Sequence, residues 1–195
     1  DIYKEDVDDP SSIRGDGVYD IFCDGNNKVW VATHSDGLSF FEQESPLVTQ
    51  IAHKINIPNS LGNNYVNKIL EDSKGNIWFA TNNGVSRWKV STNKWDVFYR
   101  NKHEQAKVFL ALCEDNNGNI SAGTYSSGVY VLDGNTGTEL KHYSQDEKNS
   151  DFPGRFIFDI FKDSHGDIWI GGIQSSVICY LAKENRFRFY PSQPV

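Results

Sequence analysis

One pattern recurs four times along the chain. It reads "CDGNNKVWVATHSDGLSFF" from Cys23, "EDSKGNIWFATNNGVSRW" from Glu71, "EDNNGNISAGTYSSGVYVL" from Glu114 and "KDSHGDIWIGGIQSSVICY" from Lys162. The anchor positions Trp30, Trp78, Ser121 and Trp169 lie 48, 43 and 48 residues apart. A hairpin met once is local structure. The same hairpin at a near-fixed period is a repeat architecture, and it decides the fold before any single residue does.

Each copy follows one plan. A first apolar strand ("VYDIFCD", "VNKILED", "VFLALCED", "IFDIFKD") runs into a turn that ends on Gly75, Gly118 or Gly166. Copy one has Asn27 there, the non-glycine residue that best tolerates positive φ. A second strand follows ("VWVAT", "IWFAT", "ISAGT", "IWIGG"), then a short polar link and a third strand. A fourth strand closes the unit, clearest in "KWDVFY" and "RFRFY". These runs are rich in Val, Ile, Phe, Tyr and Trp and are bounded by Gly, Asn, Asp and Ser, which is strand-and-turn chemistry. The second strands are almost continuously apolar, as a sheet covered on both faces requires. Four antiparallel strands per unit, stacked on like units, describe an all-β fold, a β-propeller of four consecutive four-stranded antiparallel blades. A β-sandwich or barrel is the competing architecture, but it does not repeat its sequence at fixed period.

The expected boundaries are 1–15 for the end of a preceding blade and a linker, then blades at 16–62, 63–105, 106–153 and 154–195. Residues 1–13 echo the segments that follow a fourth strand: Ile2-Tyr3 matches Phe98-Tyr99, and Pro10-Ser11-Ser12-Ile13 resembles Pro58-Asn59-Ser60-Leu61. The chain therefore reads as an open arc cut from a larger ring, with a closed four-bladed ring as the alternative. An arc leaves two uncovered end faces, which predicts self-association.

Composition narrows the function. The net charge is −7, the opposite of a nucleic-acid footprint. No apolar run is long enough to span a membrane. The five histidines show no metal-ligand spacing, and no nucleophile elbow or phosphate loop is present. "DSHGDIW" and "DSKGNIW" lack the alternating carboxylates of a calcium loop and read as Asp-initiated turns. No cofactor and no metal are expected. Cys23, Cys113 and Cys179 fall too far apart in the repeat for disulfides and are expected to be buried free thiols. Trp30, Trp78 and Trp169 occupy equivalent mid-strand positions and are expected to be core, not a sugar-stacking ladder.

What differs between copies is the link between strands two and three: "HSD" (34–36), "NN" (82–83), "YSS" (125–127) and "IQSS" (173–176). Antiparallel order places these links and the inter-blade joints at one end of every blade, and the tight Asp-to-Gly turns at the other. Function tends to concentrate in variable loops on a constant scaffold. The candidate ligand-binding residues are therefore His34, Asp36, Asn82, Asn83, Tyr125 and Gln174, with Arg155 as a partner for an acidic sugar. Amides, a carboxylate and a phenol suit hydroxyl groups and a stacking face. No acid/base constellation emerges from these positions, and no catalytic residues are assigned.

"VNKILEDSKGNIWFATNNGVSRW" strongly resembles the two-component regulator propeller repeat: an apolar strand, Glu-Asp-x-x-Gly-x-Ile-Trp, a small residue, Gly or Thr, then Gly-Leu/Val. The resemblance covers residues 16 to about 190. Copy three departs from it at Ser121, where Trp is expected, and copy four at Gly172 and Ser176, where Thr and Gly are expected. It implies the periplasmic sensor region of a hybrid two-component histidine kinase/response regulator, in which two seven-bladed propellers precede a β-sandwich, a membrane span and the kinase. It further implies a non-enzymatic, oligosaccharide-sensing segment that contacts neighbouring propeller and β-sandwich domains, without membrane contact of its own. Propeller repeats also occur in streptogramin lyase, so a propeller lyase and a protein-contact scaffold are the alternatives.

Overall fold

The computed structural model describes residues 4–15, 17–42, 47–100, 107–145, 152–173 and 177–190. They form four four-stranded antiparallel sheets, each with its strands in simple sequence order. The first holds β1 (Val18–Cys23), β2 (Lys28–Thr33), β3 (Gly37–Glu42) and β4 (Thr49–Ile51). The second holds β5 (Val66–Glu71), β6 (Ile77–Thr81), β7 (Gly84–Lys89) and β8 (Lys94–Phe98). β9 (Phe109–Glu114), β10 (Ile120–Thr124), β11 (Val129–Leu132) and β12 (Glu139–Tyr143) make the third. The fourth comprises β13 (Phe156–Lys162), β14 (Ile168–Ile173), β15 (Val177–Leu181) and β16 (Arg186–Tyr190). These are the four blades of the expected all-β propeller fold. No helix among the described residues is long and apolar enough to cross a membrane. Gln174 and Ser176 lie outside the described residues, as do Ile2 and Tyr3.

The chain divides into two compact units, Asp1–Lys107 and Val108–Val195. In the first unit, Trp30, Ala32 and Leu38 of blade one pack with Val66, Ile69, Ile77 and Phe79 of blade two. Trp30 is the centre of this core. Its ring lies 4.7 Å from Phe40, 5.6 Å from Trp88 and 6.0 Å from Phe79. An ionic staple runs beside it: the Asp20 carboxylate accepts from Ile69 N at 2.8 Å and faces Lys68 Nζ at 3.4 Å. In the second unit, Ala111, Cys113 and Val129 pack with Ile157, Ile160, Ile168, Ile170 and Ile178. Every residue of β6 is buried, as its unbroken apolar run requires of a strand covered on both faces.

The turn between first and second strands has a role beyond turning. Asp24, Asp72, Asp115 and Asp163 each accept two backbone N–H groups at Oδ1, within 2.8–3.0 Å. The turn closes on a left-handed residue: Asn27 at φ 60°, or Gly75, Gly118 and Gly166 at φ 75–87°. The second oxygen holds the tryptophan. Trp30, Trp78 and Trp169 donate their indole N–H to Oδ2 of Asp24, Asp72 and Asp163 at 2.9, 2.8 and 2.8 Å. The conserved pairing between copies is thus Asp with Trp, six residues apart, and the turn anchors the core residue.

This bond makes one blade acid-sensitive. The Trp169 indole, aided by the amides of Asp167 and His165, holds the Asp163 carboxyl below its ordinary value although desolvation opposes it. A depressed carboxyl stabilises the fold above the unfolded value, near 3.9, and loses that contribution as pH falls through the folded value. In an acid titration, the stability gap between the native chain and Asp163→Asn is therefore expected to shrink below about pH 4. A gap constant across that window would contradict the coupling.

Two expectations need correction. Cys113 and Cys179 are buried free thiols, and burial pushes the Cys113 thiol up to about 11. Cys23 is exposed. It occupies the last position of its strand, where the other copies carry Glu71, Glu114 and Lys162, so this is a solvent-facing place in the repeat. Trp30 and Trp78 are fully buried, whereas Trp169 is only half-buried, stacked between Phe161 and Tyr190.

Candidate functional site

The end that carries the variable links is built from a repeated set of backbone bonds. Thr33, Thr81 and Thr124 close the second strand and donate Oγ1 to the carbonyl of Gly37, Gly84 and Gly128, at 3.1, 2.8 and 2.9 Å. The amides of those glycines donate to the joint that leads into the next blade: Gly37 to Asn64 O, Gly84 to Lys107 O and Gly128 to Arg155 O. Each glycine sits at φ between 72° and 97°. A Cβ on Gly37, Gly84 or Gly128 would stand 2.4, 2.2 or 2.0 Å from a carbonyl oxygen of the neighbouring fourth strand. The Thr and the Gly are therefore two halves of one lock, and copy four, with Gly172 and Ser176, departs from both together.

The first residue of each link then faces the first strand of its own blade. His34, Asn82 and Tyr125 donate backbone N–H to Gly17, Tyr65 and Val108. Beside these positions every first strand carries a β-bulge. The register slips at Val18/Asp20, at Val66/Lys68, opposite Gly123/Thr124 and at Ile157/Asp159. The extra residues are Tyr19, Asn67, Leu110 and Phe158. A bulge leaves one residue outside the ladder and re-aims its side chain, and bulges are frequent beside binding sites.

In the first unit this geometry assembles a cluster. His34 stacks on Tyr19 (5.4 Å, 17°) and meets Tyr65 edge-on (5.0 Å, 89°). All three rings are exposed. Asn82 accepts from the bulged Asn67 Nδ2 at 2.9 Å. Asn83 N donates to Thr81 Oγ1, and Asp36 Oδ2 accepts from Ser35 Oγ at 2.8 Å. Within the inter-blade joint, His53 is structural: Nδ1 bonds Leu61 O at 2.7 Å while Nε2 meets Arg100 Nη2 at 3.2 Å.

The second unit repeats the scheme. Tyr125 meets Phe156 at 5.5 Å and the bulged Phe158 at 6.5 Å, both edge-on. The Arg155 guanidinium lies 5.8 Å over Phe156 and donates Nε–H to Ser126 O at 3.4 Å. The structure thus brings His34 together with Tyr19 and Tyr65, and Tyr125 together with Arg155 through Phe156. It ties Asn82 to Asn67. The predicted Gln174 lies outside the described residues. Sequence reasoning missed Tyr19, Tyr65, Asn67, Phe156 and Phe158. The signal was available in the aligned copies: the bulge position reads Tyr, Asn, Leu and Phe within otherwise similar strands.

Residues 60–83 and 151–174 match the two-component regulator propeller family. Several solved structures are similar to the chain. One is the extracellular domain of a hybrid two-component system from B. thetaiotaomicron, with a TM-score of 0.78 and 22% identity over 95% of this chain and 25% of that one. A second such domain from the same organism has a TM-score of 0.70 and 20% identity over 90% of this chain and 25% of that one. A third is catalytically inactive virginiamycin B lyase from Staphylococcus aureus with quinupristin, at TM-score 0.68 and 16% identity over 91% of this chain and 57% of that one. At these identities the likeness shows the fold. The chain spans about a quarter of the length of the B. thetaiotaomicron domains it matches. No curated protein matches the chain.

Proposed function

We propose that this chain is a ligand-sensing segment of an extracytoplasmic, periplasmic receptor of the hybrid two-component type, and that it takes oligosaccharides at the variable end of its blades. The carrying observation is the Tyr19–His34–Tyr65 cluster. It is an exposed aromatic surface made by a bulge, a link and a joint, the three places where the copies differ. Aromatic faces flanked by amides and a carboxylate match the alternating apolar faces and hydroxyl rims of sugars. Arg155, beside Tyr125, adds a cation for an acidic sugar. The fold contributes a rigid frame for these groups, and the neighbouring domains of the longer receptor, together with self-association, complete the assembly that transmits occupancy.

Tyr65→Ala and His34→Ala in the complete receptor are expected to weaken oligosaccharide binding, followed by calorimetry, by about tenfold or more, a loss typical of truncated interface aromatics. The melting temperature is expected to hold, because these rings are exposed. Unchanged affinity across a panel of neutral and acidic oligosaccharides would overturn this reading. Lost association with a second receptor copy, with sugar affinity intact, would establish the protein-contact scaffold instead.

A further inference from the structure

Copy three lacks the repeat's tryptophan, and its surroundings leave part of the space open. In the first unit the Trp30 ring touches Phe40 of its own blade and Phe79 and Trp88 of the next. The strand registers identify the counterparts in the second unit. Val131, paired with Ser121, stands where Phe40 is paired with Trp30. Ile170 and Tyr180 stand where Phe79 and Trp88 stand, and Phe187, paired with Tyr180, stands where Trp95 is paired with Trp88. Each of these four exchanges replaces a larger side chain by a smaller one, while Tyr143, also on the cleft wall, stands where the smaller Ile51 stands in blade one. The result is a cleft of about 230 Å³ whose walls include Ser121, Val131, Ile170, Tyr180 and Phe187. For scale, an apolar cavity of about 150 Å³ accepts benzene.

The cleft also keeps the polar partner of the missing ring. Asp115, on its rim, retains the turn geometry of the other copies. In blade two, Asp72 Oδ2 accepts from Asn76 Nδ2 at 2.9 Å and from the Trp78 indole at 2.8 Å. Asp115 Oδ2 accepts from Asn119 Nδ2 at 2.9 Å, with Ser121 standing where the indole would be. A carboxylate oxygen accepts more than one hydrogen bond, so the acceptor position that serves an indole N–H elsewhere is retained.

We propose that the cleft between the third and fourth blades is a second ligand site, which takes a small planar heteroaromatic molecule with a ring N–H, of indole size, with its N–H on Asp115 Oδ2. The ring lies between the Val131 and Ile170/Tyr180 walls, in the place that Trp30 fills in the first unit. The site is separate from the variable end, and its failure or success leaves the sugar-binding reading untouched.

The test uses the 195-residue chain with indole and with indene, an indole-sized hydrocarbon without the N–H. Saturable indole binding by calorimetry is expected, with indene at least about tenfold weaker because it offers no N–H to Asp115 Oδ2 and forgoes that charge-assisted hydrogen bond. Ser121→Trp is expected to abolish indole binding while far-UV circular dichroism stays that of a folded β protein. Val131→Phe, which puts blade one's residue on the cleft wall, is expected to weaken binding about tenfold and serves if Ser121→Trp does not fold. No binding of indole to the native chain, equal binding of indole and indene, or undiminished binding to a folded Ser121→Trp would each overturn the proposal. So would binding of a Trp-bearing peptide where free indole does not bind, which would make the occupant a protein.

Discussion

Trp30→Ala is expected to lower the unfolding free energy by about 3–5 kcal/mol, the range for a buried Trp truncated in a packed core. Two losses coincide there. The indole leaves the space bounded by Phe40, Phe79 and Trp88, and Asp24, itself buried, loses the donor at Oδ2. Trp30→Phe separates them. It restores most of the ring contact but leaves the carboxylate without its indole, for an expected loss of about 1–3 kcal/mol. Denaturant unfolding followed by circular dichroism measures both. A Trp30→Ala loss below about 1 kcal/mol would mean that the residue is not the centre of the core between blades one and two.

Gly84→Ala is expected to be nearly as costly, on the order of 3 kcal/mol, from left-handed strain together with overpacking. Its φ is 97°, and the added Cβ would stand 2.2 Å from Phe98 O. The obstacle is backbone, so relief requires β7 and β8 to separate at the point where Thr81 and Lys107 also bond to Gly84. Gly25→Ala is the control, since its Cβ meets Glu71 side-chain oxygens at an ordinary 3.6 Å. Equal thermal stability of the two variants would show that the fourth strand yields freely.

Strands and turns were legible because their chemistry is local. Alternation, β-branching and a left-handed residue at a fixed offset need no knowledge of the rest of the chain. The exchange of Trp for Ser121 was visible too, yet its consequence was not. That required knowing that Val131, Ile170 and Tyr180 face the same space, which is a matter of register and stacking. The Asp–Trp bond was not legible because the turn uses only one carboxylate oxygen of Asp163, and the partner of the second is set by the strand that follows. Cys23 was misplaced because burial was assigned to the whole strand. The copies themselves, with Glu71, Glu114 and Lys162 at that position, mark it as outward-facing. For the candidate site, the links point to the end of the blades where the bulges also lie, but the bulge position stands out only when the copies are aligned, and no single copy marks it. Tyr19 and Phe158 read as ordinary strand aromatics until the ladder is drawn.

The four bulges have a consequence for how such a surface can be re-engineered. Tyr19, Asn67, Leu110 and Phe158 stand outside the register that pairs β1 with β2, β5 with β6, β9 with β10 and β13 with β14. A side chain outside the ladder can change in size and polarity without altering a cross-strand partner. Together with the link positions His34, Asn82 and Tyr125, they form a set of sites that a combinatorial library can randomise while the hydrogen-bonded frame is held fixed. The architecture separates the residues that define the scaffold from those that can vary on it, and if the variable end binds a ligand as proposed, new specificities are to be sought at these positions and not in the core.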